Sequence, residues 1–382
     1  MSYHSVYVHI PFCQKRCQYC DFLSYSLADQ QEAAAQYASA VLQELQQISL
    51  PADQKPLQTI YFGGGTPTVL PVQDLIRILQ GIVERFGLAL AAEVTLETNP
   101  ATVGQADLAA LYQAGFNRLS MGGQSFINRE LQQMGRIHRA EDIKRTVLAA
   151  KNAGFERVGV DLIYGLPGQS LADWRYNLAQ AVALPINHIS LYGLQVDNDS
   201  PWGKAYATGQ LKVAEEELSA QMLELAMTDL AEQGFWHYEI ANFAKTAAVD
   251  YRSRHNLAYW RRQDYLGLGL GAASCQGNHR WQNVGSLQHY LQALAGGQQP
   301  ERWEEWLSSR QVVGEAIFLG LRLQEGVAIK RFQQQYGVDL LREFQQEVAE
   351  LVQYGCLEQA GEFLRLTPKG LLVANQVFEK FV

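Results

Sequence analysis

Cysteine is scarce in this chain, with five residues in 382. An odd number, thin for the length, argues against a disulfide framework, the less favoured alternative, and fits a reducing compartment. Long apolar runs are missing as well. No stretch reaches the ~18 uncharged apolar residues of a membrane helix. The short apolar run at 6–12 holds His9 and Pro11, which no signal peptide would carry at its centre. A cytoplasmic protein without an integral membrane segment is therefore expected. Positive charge is in deficit: 31 Lys and Arg against 39 Asp and Glu give a net charge of −8. Without a basic footprint, no nucleic-acid partner is expected. Charged residues are only 18% of the chain and apolar residues 47%, a composition that folds around a sizeable core. At roughly 150 residues per domain, the length implies two to three domains.

Three of the five cysteines fall within eight residues, as Cys13-x3-Cys17-x2-Cys20. Thiolates are soft ligands for iron–sulfur clusters, zinc or copper(I). Three on one short loop can hold three corners of a [4Fe–4S] cube, leaving one iron open to a small molecule. Zinc is the alternative; it needs a fourth ligand, for which His4, His9 or a remote group is available.

Along the chain, strand-like and helix-like segments alternate. Strands are expected at 5–10, 59–62, 93–97, 118–121, 157–163 and 188–192. Helices are expected at 31–48, 72–86, 106–114, 140–153 and 171–183. Such alternation implies parallel strands with crossover helices, arranged as an open doubly wound sheet or a partial barrel. Gly115-Phe116 and Gly154-Phe155 read as helix C-caps feeding strands. Further on, a helix is expected at 213–233, a strand at 236–242, and a glycine-rich segment at 267–277. Gly296-Gly297-Gln298-Gln299-Pro300 is the clearest linker. It divides residues 1–295 from residues 301–382, where helices at 312–323, 327–335, 340–354 and 368–381 surround a hairpin at 356–366 that turns at Gly361. That pattern is winged-helix-like.

In a (β/α) barrel, chemistry sits at the C-terminal ends of the strands. The first strand here ends in the cysteine loop and the second in Gly63-Gly64-Gly65-Thr66. The third ends in Glu97-Thr98-Asn99, the fourth is followed by Gln124, and the fifth carries Asp161. Gly63 to Thr66 is not a P-loop, since no G-x4-G-K-[ST] is present. Glycines admit close backbone approach. Glu97 can accept from ribose hydroxyls, Gln124 can donate and accept at once, and Arg136 can clamp a carboxylate. Asp161 can meet an amine or a ribose. Structural roles compete for each: Glu97 in an internal ion pair, Gln124 satisfying backbone groups, Arg136 on the surface, Asp161 capping a turn.

Tyr7-x-His9-x-Pro11-Phe12-Cys13-x3-Cys17-x-Tyr19-Cys20 resembles the opening of the radical S-adenosylmethionine (SAM) proteins. The narrower resemblance is to the branch of the oxygen-independent coproporphyrinogen III oxidases and the HemW-type heme chaperones. Gly63 to Thr68, Arg118 to Gln124 and Asp161 to Gln169 match further motifs of that branch. The resemblance implies a partial (β/α)6 barrel of the TIM type with a small C-terminal domain. It implies a [4Fe–4S] cluster on Cys13, Cys17 and Cys20. It implies SAM contacts from Tyr7, Tyr19, Gly64, Gly65, Thr66, Glu97, Gln124, Arg136 and Asp161, the last three matching positions that hold a second SAM in the oxidase.

Two details lean toward the chaperones. Cys20 is followed by Asp21-Phe22, whereas the oxidase has a further cysteine two residues on; and His255-Asn256-x-x-Tyr259-Trp260 resembles an H-N-x-x-Y-W motif of the chaperone branch. The resemblance then implies heme as ligand, a heme-acceptor protein, respiratory for example, as recipient, and an electron donor for the cluster. Heme iron takes His, Cys, Met or Tyr as an axial ligand. His255 is the candidate, with Cys275, His9 and His237 as rivals and a packing role as the alternative. The competing activity is radical decarboxylation of coproporphyrinogen III. A zinc-stapled barrel with a binding module is a third reading.

Overall fold

A computed structural model describes residues 2–381. Six strands repeat a strict alternation: β1 (Ser5–Ile10), β2 (Leu57–Gly64), β3 (Leu88–Thr98), β4 (Arg118–Gln124), β5 (Arg157–Tyr164) and β6 (His188–Gly193). They pair in parallel in chain order. The crossovers carry helices α1 (Gln31–Gln47), α2 (Val72–Phe86), α3 (Gln105–Gln113), α4 (Asn128–Gln133), α5 (Ala140–Ala153) and α6 (Leu171–Val182). Each strand sends one set of side chains toward those helices. Val6, Val8 and Ile10 of β1, Ile60 and Phe62 of β2, Val94 and Leu96 of β3, and Val158, Val160 and Leu162 of β5 are fully buried in one continuous core.

The other set faces the concave side, and it is polar. Ser5, Tyr7 and His9 stand beside Thr59 and Tyr61, then Glu93, Thr95 and Glu97, then Arg118 and Ser120, then Asp161, His188 and Ser190. A closed TIM barrel fills this space with branched aliphatic side chains. Here the interior is lined with hydroxyls, carboxylates and rings, and the partial (β/α)6 barrel is built around a polar lumen.

The glycine C-caps are present: Gly115 and Gly154 have φ of 113° and 109°, and Phe116 and Phe155 behind them are buried. Ser170 starts α6 with a capping box, its Oγ accepting from Asp173 N at 3.1 Å while Asp173 Oδ2 accepts from Ser170 N at 3.0 Å.

The sheet extends further than the alternation implied. The segment expected as one strand at 236–242 is a tight antiparallel hairpin, β7 (Phe235–Glu239) and β8 (Asn242–Lys245), set against β6. The glycine-rich segment holds β9 (Tyr265–Leu268), parallel to β1, and β10 (Ala273–Gln276). Position 267 in that strand must be glycine, since a Cβ there would lie 2.2 Å from Ala273 O. β11 (His279–Asn283) and β12 (Arg302–Trp306) complete a twelve-stranded sheet. β12 lies beyond the glycine-rich linker yet pairs with β11; the buried members of the first hydrophobic cluster end at Leu294 and those of the second begin at Val313.

That second cluster is built on the helix Ser309–Leu321 and a three-stranded sheet of β13 (Val327–Ala328), β14 (Leu357–Ala360) and β15 (Phe363–Leu366). Two expected helices are broken, at Phe344 and at Val373. Ile240 N donates to Arg322 O at 2.9 Å and Gln324 N to Tyr238 O at 3.1 Å, joining the unit to the barrel. The Arg322 guanidinium lies over Trp260 and Phe378, 4.4 and 5.2 Å from the ring centroids.

Candidate functional site

The cysteine loop follows β1 and folds over the C-terminal end of the lumen. Its three thiols are free. Cys13 is buried, while Cys17 and Cys20 are half-buried. Burial pushes the Cys13 thiol up and the Cys20 thiol to about 11. Among the described residues, no three His, Cys, Asp or Glu side chains converge on a single metal ion. The donor set has the right chemistry for an iron–sulfur cluster: three free sulfurs on one loop, with hydrogen-bond donors aimed at two of them. Thr66 Oγ1 donates to Cys13 Sγ at 3.6 Å, and Arg136 Nη1 to Cys17 Sγ at 3.4 Å.

The glycines after β2 lie against this loop. A Cβ on Gly65 would meet Phe12 O at 2.6 Å and Cys13 Sγ at 3.0 Å. Gly64 has φ of 114°, and a Cβ there would be 2.6 Å from the His9 ring. Side chains are excluded because the backbone itself forms the wall. Both ring nitrogens of His9 are engaged in hydrogen bonds. Its Nε2 donates to Leu23 O at 2.9 Å, which leaves Nδ1 to accept from Tyr7 OH at 3.1 Å.

Glu97 stands at the end of β3, and no cationic partner is within ion-pair distance among the described residues. Tyr61 OH donates to its Oε1 at 2.6 Å and Gly64 N to its Oε2 at 3.2 Å. Burial lifts its pKa to about 7, Tyr61 works against that, and Asp161 adds to it. Asp161 accepts from Ser120 Oγ at 3.2 Å, and burial lifts it to about 6. The internal ion pair in this lumen belongs to other residues, Arg118 and Glu93, 3.8 Å apart.

Arg136 is half-buried under the cysteine loop. Besides Cys17 it donates to Gly122 O at 2.6 Å and to Asn99 Oδ1. Burial works against its charge, but Tyr19 and Cys17 beside it outweigh that and hold its pKa above the ordinary value. Gln124 adopts φ of 66° where the pairing of β4 with β5 shifts register. Left-handed backbone at a residue with a side chain costs on the order of 1–3 kcal/mol and gathers at functional sites. Tyr19 packs against Trp202, ring centroids 6.0 Å apart.

His255 lies elsewhere, toward the opposite end of the lumen. It is 1% exposed. Its Nδ1 is 2.8 Å from Thr59 Oγ1 and its Nε2 is 3.0 Å from Tyr259 OH. Tyr61 stacks on the ring at 5.0 Å. Burial depresses its pKa to about 3. With both nitrogens engaged and the ring enclosed, this arrangement favours packing over ligation. Cys275 is buried in β10, and His237 lies flat against Phe243 with Gln324 Nε2 3.1 Å from its Nδ1. Tyr61 holds Glu97 and Asn99 holds Arg136, and Tyr61 is a site residue that the sequence reading does not name. Tyr61 was findable, being two positions from Gly63 on an alternating strand.

The comparisons with known proteins agree with this layout. The Radical SAM superfamily model matches residues 7–179 and the HemN C-terminal domain model residues 307–373. A heme chaperone HemW of Lactococcus lactis is 34% identical over 379 residues, covering 99% of this chain and 97% of that protein. A heme chaperone HemW of Bacillus subtilis is 35% identical, covering 99% of each. Among solved structures, the radical SAM enzyme coproporphyrinogen III oxidase (HemN) of Escherichia coli superposes with a TM-score of 0.84. It is 25% identical, over 99% of this chain and 89% of that one. Matched along its whole length, the chain belongs to the radical SAM superfamily and, within it, to the coproporphyrinogen III oxidase-like branch that includes the HemW heme chaperones.

Proposed function

We propose that this protein is a heme chaperone: it binds heme, carries a [4Fe–4S] cluster to which SAM is chelated, and passes heme to an acceptor protein. The observation that carries this reading is the end-to-end similarity to two HemW chaperones, at 34% and 35% identity. It is supported by the cysteine loop, where Cys20 is followed by Asp21 and Phe22, with no thiol two residues after Cys20.

In this reading Cys13, Cys17 and Cys20 hold the cluster, which when bound supplies an open iron site for the amino and carboxylate groups of SAM. Tyr7, Tyr19, Gly64, Gly65, Thr66, Glu97, Gln124, Arg136 and Asp161 line the SAM site. Glu97, held by Tyr61 and Gly64 N, would accept from the ribose, and Asp161 would accept from an amine or a hydroxyl. The glycine backbone would press against the ligand. A reducing partner would serve the cluster, and the acceptor would be a heme protein such as a respiratory one. The protein would act in the cytoplasm; no helix among the described residues is long and apolar enough to cross a membrane.

The test is a heme titration beside an oxidase assay. The chaperone reading expects a Soret band that saturates near one heme per chain and no protoporphyrinogen IX from coproporphyrinogen III, SAM and a reductant. Turnover of coproporphyrinogen III would replace it with the oxidase reading.

A further inference from the structure

Two of the three loop thiols are joined through a run of side-chain hydrogen bonds centred on Asn99. Its Nδ2 donates to Thr66 Oγ1 at 2.7 Å, and Thr66 Oγ1 donates onward to Cys13 Sγ at 3.6 Å. On its other side Oδ1 accepts from Arg136 Nη2, and Arg136 Nη1 donates to Cys17 Sγ at 3.4 Å. A carboxamide can serve both arms because it donates at one end and accepts at the other. The packing holds it in place. A Cβ on Gly122 would fall 2.8 Å from Asn99 Oδ1 and 3.3 Å from Arg136 Nη2. Thr66 is 2% exposed, so water does not compete for its hydroxyl.

We propose that Asn99 is a positioning residue: it orients Thr66 on Cys13 and Arg136 on Cys17, and through them raises the reduction potential of the iron–sulfur cluster. The proposal rests on the family reading for the presence of the cluster. Its physical basis is general. A donor aimed at a thiolate sulfur stabilises the more negative, reduced form, so each such bond lifts the potential. Without Asn99, the Thr66 hydroxyl loses the donor that fixes its rotamer. Arg136 keeps Gly122 O but loses its second oxygen acceptor.

The experiment is a redox titration, without SAM, of the reconstituted full chain. It compares wild type, Asn99→Ala, Thr66→Val and the double variant, each with its iron content and melting temperature measured first. At a fixed poise, Asn99→Ala should hold about tenfold less reduced than oxidised cluster relative to wild type, which corresponds to about 59 mV for one electron. Thr66→Val should shift the same way by less. The double variant should shift no further than Asn99→Ala, since the Thr66 arm runs through the amide. An unchanged potential in an iron-replete Asn99→Ala chain overturns the proposal, as does additivity in the double variant. A shift that appears only when SAM is added also overturns it, because Asn99 would then be a ligand contact. Should Asn99→Ala fail to take up iron, Asn99→Asp, which keeps an acceptor for Arg136 but loses the donor to Thr66, decides by the same criterion: an unchanged potential overturns the proposal. Wild type without iron would instead defeat the family reading.

Discussion

Tyr61 donates its phenolic proton to Glu97 Oε1 at 2.6 Å, from the lumen side of the neighbouring strand. This bond makes Glu97 a better acceptor, because it counters the burial that lifts the carboxyl to about 7. An ionised carboxylate accepts a ribose hydroxyl more strongly than a neutral one, by about 1.5–3 kcal/mol for a hydrogen bond to a charged group. SAM affinity should therefore rise with pH through about 7. Tyr61→Phe removes a pKa-lowering partner, so its affinity curve should move to higher pH, with binding at neutral pH weaker by roughly tenfold. Glu97→Gln should flatten the curve. Calorimetric SAM titrations between pH 6 and 8.5 check this; a flat wild-type profile would remove Glu97 from the ribose.

His255 offers a second test. Its folded pKa, about 3, lies below the ordinary 6.5, so the fold favours the neutral ring. The stability this contributes is present above pH 6.5 and is lost as pH falls from there toward 3. His255→Leu should cost about 1–3 kcal/mol at pH 7.5 by leaving Thr59 and Tyr259 without their partner. Its deficit against wild type should narrow on acidification, as read by urea melts at several pH values. Heme stoichiometry should be unaffected. A variant of wild-type stability that no longer binds heme would make His255 the axial ligand after all.

The five cysteines should divide cleanly. Cys13→Ala, Cys17→Ala and Cys20→Ala should each lose iron and the brown colour of the anaerobic protein. Cys275→Ala and Cys356→Ala, in β10 and beside the C-terminal hairpin, should keep both. Iron analysis and visible spectra of the five variants are sufficient. Full iron content with any loop cysteine replaced would contradict a three-thiolate site.

Gly314 tests the second unit. A Cβ there would lie 2.0 Å from Phe381 O, a backbone atom that cannot yield without moving the end of the chain. Gly314→Ala should lower stability by about 1–3 kcal/mol through overpacking. Gly337→Ala is the contrast: it meets nothing within 4 Å and is strained only by its φ of 69°. Differential scanning calorimetry of both variants separates packing from backbone cost.

The parallel elements of the barrel, the C-caps at Gly115 and Gly154, and the places of Glu97, Gln124 and Asp161 on their strands were legible in the sequence, because they rest on local chemistry. Alternation with period two marks a strand, a glycine with positive φ ends a helix, and three thiols within eight residues share a loop whatever else the chain does. Tertiary structure decided what each side chain meets. The short strand Tyr265–Leu268 is stabilised by pairing with the edge of β1, a contact that its glycine-rich surroundings conceal. Arg136 reaches Cys17 across 119 positions, and His255 reaches Thr59 across 196. Contacts at such separations depend on how the sheet curls, and composition near each residue carries no record of that. The sequence by itself determined where reactive groups lie along the strands; only the fold determined which of them satisfy one another.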